Sequence, residues 1–160
     1  MYDRHRGTRL MAKNYRLDIQ GDEELIRKLN AMSKGFRAKA LLHAVTQGGE
    51  IVEREAKAQA PVRKGILRDS ITTVKLKSTS KLAKVGVSWR KGRASRTAAF
   101  YGIMLEKGTK PRSRKDGVST GTGPVRSFLI PAYHSKRPDI ARQIKIELSR
   151  LLRKAVKKGM

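Results

Sequence analysis

Apolar residues recur at steps of three and four in two long segments of the chain. The first segment, Phe36–Gln59, carries a stripe of mostly small and aliphatic residues, which predicts an amphipathic helix. Pro61 ends this helix, because the residue before a proline is driven out of helical geometry. The second segment, Pro138–Lys158, sets its apolar stripe opposite a face dominated by lysine and arginine. We therefore predict two long helices.

Two shorter helices are predicted by the same periodicity. One begins at Asp22, whose side chain can cap it, and it sets three apolar residues on one face: Leu25, Ile26 and Leu29. The other covers Ala98–Lys107. Gly108 follows it directly, and glycine is the residue that most readily adopts the left-handed conformation that ends a helix.

Alternating apolar and polar residues predict strands. Tyr15–Ile19 alternates over five residues, and the longer segments Ile71–Lys77 and Leu82–Trp89 also alternate. The last two are joined by the short loop Ser78–Lys81, so they form a β-hairpin with one face in water. Phe128–Ile130, followed by Pro131, is predicted as a short buried strand.

The predicted element order is β-α-α-β-β-α-β-α, and the chain has 160 residues, the size of one domain. This pattern predicts an α+β fold, in which a small, mostly antiparallel sheet packs against two long helices in a single domain. We expect residues 1–12 to be a basic N-terminal extension and residues 13–160 to be the domain. Within it, Arg90–Arg96 is predicted as a loop and residues 109–127 as a flexible basic loop.

The chain is strongly basic, with 38 Lys and Arg against 13 Asp and Glu and a formal charge of +25. Such an excess indicates contact with nucleic acid or with acidic protein surfaces, or simply a solvated basic surface. No apolar run approaches the length that spans a bilayer, and the basic N-terminus lacks the apolar core of a secretory signal. The candidate contacts to DNA or to protein partners lie in the two basic loops: Arg90, Lys91, Arg93, Arg96, Lys110, Arg112, Arg114 and Lys115.

A catalytic or cofactor-binding constellation is not found in the sequence. The chain has no cysteine, and its three histidines begin no metal-ligand spacing. Glutamates at 50, 53 and 55 lie beside Arg54 and Lys57, which ordinary ion pairing on a helix explains. The glycines between Gly117 and Gly123 lack the Lys-Ser/Thr of a phosphate-binding loop. We expect no cofactor and no enzymatic activity.

The sequence also lacks a zinc finger and the paired aromatics that stack RNA bases. Its aromatic content of 5% is low for a single-strand binding platform. A basic nucleic-acid-binding protein of ribosomal or nucleoid type nevertheless remains an alternative, because the charge alone favours it.

Three blocks resemble the head–tail joining (neck, tail-completion) proteins of long-tailed lambdoid bacteriophages. They are APVRKGILRDSI from Ala60, YGIMLEKGTK from Tyr101 and PVRSFLIPA from Pro124, in the order and spacing of that family. Arg63 and Lys64 depart from the usual Asp-Thr pair, and residues 111–123 are an insertion. The motif positions, which the resemblance implies are structural, are Pro61, Gly65, Leu67, Arg68, Ser70, Tyr101, Glu106, Gly108, Thr109, Phe128 and Pro131.

The resemblance implies a structural virion protein rather than an enzyme. Proteins of that kind form rings, commonly six-fold, at the head–tail junction, where they join the tail tube to the DNA-filled head. The implied partners are further copies of the chain, the neighbouring head-completion or tail-tube proteins and the genomic DNA in the channel, but no membrane. Assembly would take place in the host cytoplasm. Whether the ring is a tail terminator or an intermediate neck ring is left open at this point.

Overall fold

The computed structural model describes residues 23–62, 65–89 and 93–157. The predicted strand Tyr15–Ile19, the cap at Asp22, the extension 1–12 and the candidate contacts Arg90 and Lys91 lie outside the described residues. Within these ranges the fold is α+β, as predicted. No helix of the described part is both long enough and apolar enough to cross a membrane.

The first two helices agree with the sequence. The short helix α1 covers Glu23–Ala31, and the long helix α2 covers Lys34–Gln59. The Ser33 side chain caps α2 by accepting a hydrogen bond from the Phe36 backbone N–H at 3.3 Å. At the other end Ala60 is already extended, with ψ of 133°, because Pro61 follows it. The predicted end of this helix is confirmed.

The hairpin is also confirmed. Strand β1 covers Ile71–Ser78 and strand β2 covers Ala83–Trp89. They pair antiparallel, from Ile71 opposite Trp89 to Ser78 opposite Ala83, with an irregularity between Lys75 and Lys77. The turn is closed by the Thr79 backbone N–H, which donates to the Leu82 carbonyl at 2.7 Å.

The last helix, α5, covers Leu129–Lys157 and packs along α2. Two adjacent glycines in α2 permit close packing on two sides. A Cβ at Gly48 would lie 3.0 Å from the Ile140 side chain of α5, and one at Gly49 would lie 2.9 Å from the Thr73 side chain of β1. The helix therefore passes closely between α5 and the sheet.

Two apolar clusters form the core. The larger joins α1, α2 and α5 through Leu29, Ala40, Ala44, Val52, Ile140, Ile144, Leu148 and Leu152. The smaller lies where α2 ends, β1 begins and α5 begins, and consists of Ala56, Ala60, Ile71, Phe128 and Ala132. Val87 of β2 packs against both clusters.

The predicted strand Phe128–Ile130 is wrong, because α5 begins at Leu129, nine residues before the predicted start at Pro138. Pro131 does not oppose this, since the first-turn N–H groups of a helix have no acceptor within the helix and proline lacks that group. Pro138 lies inside α5, where the packing of both halves of the helix against the core holds it in one piece.

The region around the motif blocks is also more ordered than predicted. A short helix, α3, covers Ile66–Ser70, and helix α4 covers Arg93–Lys107, so Arg93 and Arg96 lie in a helix and not in a loop. The long predicted loop contains two short antiparallel strands, β3 (Arg112–Ser113) and β4 (Ser119–Gly121). Local periodicity missed both because the segments are short and polar.

Candidate functional site

Glu106, near the end of α4, binds the start of α5. Its Oε1 accepts hydrogen bonds from the backbone N–H groups of Phe128 at 2.9 Å and Leu129 at 2.8 Å. Its Oε2 accepts one from the Ser127 hydroxyl at 2.6 Å. One carboxylate of the second motif block thus holds three donors of the third.

This arrangement explains where α5 begins. The first N–H groups of a helix lack partners, and the positive end of the helix dipole favours an anion beside it. Glu106 supplies both the acceptors and the charge, and Pro131, the third residue of α5, has no N–H to satisfy. The family resemblance indicated Glu106 as a motif residue, but its role depends on a contact across 22 positions that no local pattern contains.

Gly108 and Thr109 hold the next segment against α4. Gly108 has a φ of 72°, the left-handed conformation predicted for a residue that ends a helix. The Thr109 hydroxyl accepts a hydrogen bond from the Gly123 N–H at 2.6 Å. The Thr109 N–H donates to the Gly123 carbonyl at 3.3 Å. Thr109 and Gly123 therefore close the base of the segment 110–122.

The first block turns the chain from α2 into β1. Gly65 has a φ of 71° and precedes α3. The buried Ser70 hydroxyl donates to the Leu67 carbonyl at 2.7 Å. Arg68 pairs with Asp69 at 3.0 Å on the surface, where an ion pair contributes little.

The three blocks meet in space. Phe128 of the third block belongs to the smaller apolar cluster, and Leu67 of the first and Leu105 of the second pack against it. Helix α3 also packs against α4. Phe128 is 2% exposed and is among the largest fully buried side chains of the described residues. We call this unit, residues 60–62, 65–71, 101–110 and 124–132, the motif junction.

Helix α4 is apolar on its outer side as well as on its inner side. Gly102 lies against the Trp89 indole, where an added Cβ would overlap the ring, and Leu105 reaches the core. Phe100 and Ile103 fall on the opposite side at 100° per residue. They are 58% and 38% exposed, and Tyr101 on the flank is 57% exposed. We call these three side chains the α4 outer face.

The exposed apolar surface is concentrated around the motif junction. Twelve large apolar side chains of the described residues are exposed. Half of them lie in or beside the motif junction: Val62, Ile66, Phe100, Tyr101, Ile103 and Val125. Exposed apolar surface gathered in one region is characteristic of interaction sites, whereas single exposed residues are not.

Residues 110–122 form a hairpin beyond the hydrogen bonds that join Thr109 to Gly123. We call it the basic arm. Its tip is turned by the Arg114 N–H, which donates to the Val118 carbonyl at 2.8 Å, and by the Gly117 N–H, which donates to the Arg114 carbonyl at 3.0 Å. Lys110, Arg114 and Lys115 are exposed on it.

The candidate basic contacts therefore divide between two elements. Lys110, Arg112, Arg114 and Lys115 lie on the basic arm, which the structure brings together as one unit. Arg93 and Arg96 lie on the first turns of α4.

Two half-buried carboxylates, Glu147 and Glu53, were not predicted as sites. Glu147 connects α5 to α2, and Glu53 connects α2 to β1. Glu147 of α5 is hydrogen-bonded by Arg150 at 2.6 Å, which lowers its pKa against the opposing effect of burial, and it faces His43 of α2 at 3.5 Å. Glu53 of α2 accepts bonds from Thr73 and Lys57. Burial raises the pKa of Glu53, but these hydrogen bonds outweigh it and the net shift is downward.

Neither carboxylate belongs to a metal-binding group, because no cluster of three or more His, Asp or Glu able to hold a metal ion occurs among the described residues. An open groove of about 810 Å³ along the second half of α5 is lined by lysine, arginine, isoleucine, valine and serine, without a carboxylate or a histidine.

Comparison with known proteins gives one family. The model of the HK97-gp10-like family, described as "Bacteriophage HK97-gp10, putative tail-component", matches residues 23–108. This range includes α1 to α4, the first motif block and residues 101–108 of the second, but not the basic arm or α5. No curated protein and no solved structure matches the chain significantly.

Proposed function

Because the chain belongs to the HK97-gp10-like family of bacteriophage tail components, we propose that it forms a ring at the head–tail junction of a tailed phage. In this role it is a structural virion protein that joins the tail tube to the DNA-filled head, as neck, tail-completion or tail-terminator ring. We propose no catalytic role and no cofactor for it.

The observation that carries the ring is the α4 outer face. A helix that is apolar on both sides is normally buried on both sides, yet Phe100, Tyr101 and Ile103 are exposed in the single chain. At 58% and 57% exposure, the two aromatic rings leave roughly 200 Å² of their surface in water. The proposed ring covers this surface.

The charge distribution favours a second copy of the chain as the partner that binds the α4 outer face. Each copy carries a formal charge of +25, so two copies repel each other wherever basic surfaces meet. Residues 100–105 contain no charged side chain in a chain of which 32% is charged. Contact through the α4 outer face therefore brings two subunits together at an uncharged turn, which Lys107 borders one turn further along the helix.

The symmetry of the ring is proposed from the family resemblance as six-fold. A ring requires that the α4 outer face meets a different surface of the next copy, since a patch that meets itself gives a closed dimer. The remaining exposed apolar residues of the motif junction, Val62, Ile66 and Val125, are candidates for that second surface.

The basic arm is proposed to contact the neighbouring rings. It projects from a closed base, and it carries four basic residues, Lys110, Arg112, Arg114 and Lys115, against one acid, Asp116. Such a surface fits an acidic face of a head-completion or tail-tube protein, or the phosphates of genomic DNA that passes through the channel. Residues 1–12 are proposed as a basic extension outside the domain of residues 13–160.

A complementation experiment tests the ring. A phage that lacks this gene should accumulate separate heads and tails, and the wild-type gene should restore joined particles. Phe100→Asp should fail to restore them while its circular dichroism spectrum stays native. Ile26→Asp, a matched control because Ile26 is 51% exposed on α1 and outside both proposed contact surfaces, should restore joined particles. Joined particles with Phe100→Asp would refute the proposed interface.

The charge also favours the second candidate, a nucleic-acid-binding protein. Such a protein would bind free duplex DNA with an affinity that falls steeply with salt. The ring hypothesis predicts instead that the purified chain has weak, nonspecific affinity for free DNA. A filter-binding titration at two salt concentrations distinguishes the two functions.

A further inference from the structure

The outer edge of β1 is closed by a side chain. The Thr73 backbone N–H donates to Glu53 Oε2 at 2.7 Å, and the Thr73 hydroxyl donates to the same oxygen at 2.8 Å. Because this N–H is bound to α2, it is not directed at β2. An added strand cannot use it, so β1 is protected against pairing along this edge.

The same contact fixes the direction of the backbone groups in β2. Residues opposite each other in antiparallel strands alternate between pairs that exchange hydrogen bonds and pairs that do not. Thr73 lies opposite Val87, and this pair does not exchange bonds. The N–H and C=O groups of Val87 and, two residues earlier, of Val85 therefore point away from β1.

The outer edge of β2 is consequently open. Among the described residues, β2 pairs only with β1, and no backbone hydrogen bond from another element reaches Val85 or Val87. A two-stranded hairpin is marginally stable alone, and an open edge is a template for a further strand. The two edges of this sheet thus differ, one closed by Glu53 and the other available.

We propose that residues Tyr15–Ile19 of the same chain add to the outer edge of β2 as a third strand. They alternate apolar and polar side chains over five residues, which matches the length of the open stretch Val85–Trp89. With Tyr15, Leu17 and Ile19 on the inner face, the strand extends the apolar layer that Val87 and Trp89 form against the core clusters.

The connection to α1 supports an intramolecular strand. Three residues, 20–22, separate Ile19 from the start of α1, and they span about 10 Å at most. Helix α1 packs against α5, and Val87 of β2 packs in the core cluster that α1 and α5 share. Helix α1 and the inner face of β2 therefore border the same apolar cluster.

Amide hydrogen exchange by NMR on the full chain, at concentrations where it is monomeric, tests this strand. The Val85 and Val87 amides should exchange at least about 100-fold more slowly than unprotected amides. Leu17→Pro should abolish that protection, because proline lacks the N–H and strains an added strand. Arg9→Pro, a matched change outside the segment, should not. The Gly86 and Ser88 amides, directed at β1, should stay protected in all three proteins.

Other results would overturn the proposal. Equal exchange of Val85 and Val87 in the wild-type chain and in Leu17→Pro would show that the segment does not bind there. Protection that appears only as the protein concentration rises would assign the edge to a second copy. If Leu17→Pro does not fold, cross-strand NOEs between residues 15–19 and 85–89 in the wild-type chain decide, and their absence contradicts the strand.

Discussion

Glu106 connects two parts of the chain that the motif blocks separate. It ends α4 on one side and starts α5 on the other, through three hydrogen bonds to Ser127, Phe128 and Leu129. Glu106 and Phe128 are both motif positions of the family that the chain resembles, and the structure gives a physical reason for the pair. The carboxylate binds the backbone while the Phe128 ring fills the cluster beneath it.

Replacing Glu106 by alanine should destabilise the protein by about 2–3 kcal/mol. The variant leaves the Phe128 and Leu129 N–H groups without their charged acceptor, and such bonds contribute more than neutral ones. Glu50→Ala is the control, because Glu50 is exposed and accepts only from the nearby Gln47 side chain. Urea unfolding of both variants measures the difference. Equal stabilities would contradict the capping role.

Two glycines should respond in opposite directions to alanine. Gly108 has a φ of 72°, and a Cβ there would lie 3.0 Å from the Gly123 carbonyl oxygen, so Gly108→Ala should cost more than about 1 kcal/mol. Gly35 lies in α2 with open space around it, so Gly35→Ala should stabilise by up to about 1 kcal/mol. Thermal unfolding gives both signs. A neutral Gly108→Ala would mean that α4 does not end there.

At the level of elements, the sequence predicts what local pattern determines. The end of α2 at Gln59 follows from Pro61 alone, and the hairpin follows from the alternation in Ile71–Lys77 and Leu82–Trp89. The start of α5 does not follow from any local signal. It depends on Glu106, and the two prolines of that segment point to the wrong boundary. The motif positions were predicted by resemblance, but their meeting in one cluster required the fold.

The basic arm shows the same limit. Its sequence is polar and rich in glycine, which predicts a loop. Two hydrogen bonds between Thr109 and Gly123 close the arm where it leaves the domain. A contact between residues so far apart in the chain produces no periodic pattern in the sequence. The α4 outer face was missed because a helix wheel assigns apolar residues to a core, whereas the core of one chain takes only one side of this helix.

The contact between α2 and β1 should depend on pH. The pKa of Glu53 is lowered in the folded state, so its contribution is present above its unfolded value of about 4.3 and is lost as the pH falls through the folded value. Glu53→Gln should therefore cost about 1–3 kcal/mol at pH 7 and progressively less below pH 4. Glu50→Gln serves as the exposed control. A difference that does not change with pH would contradict this role.

At the scale of the whole molecule, the charge and the apolar surface lie in different places. The basic arm is exposed and polar, while the α4 outer face between Phe100 and Leu105 has no charge. A subunit built in this way has one surface suited to its own copies and another suited to acidic neighbours. We propose that the first surface forms the ring and that the second docks to the neighbouring rings.

Deleting Arg112–Thr122 should separate these two roles. Because Thr109 and Gly123 close the base of the arm, the shortened chain should still fold and still form rings. Joining of heads to tails should fall, and the remaining joining should depend less on salt. Salt screens exposed charges over about 10 Å at 0.1 M, and the deletion removes most of the charges that make this contact. Complementation at low and high salt measures this. Full infectivity at high salt would show that the arm has no docking role.

Cryo-electron microscopy of the virion tests the proposed ring. We predict a closed ring at the head–tail junction into which α2, α5 and the hairpin fit, with Phe100 and Ile103 buried against the neighbouring copy. A virion in which this chain is absent from the junction, or is present there with the α4 outer face in solvent, would contradict it.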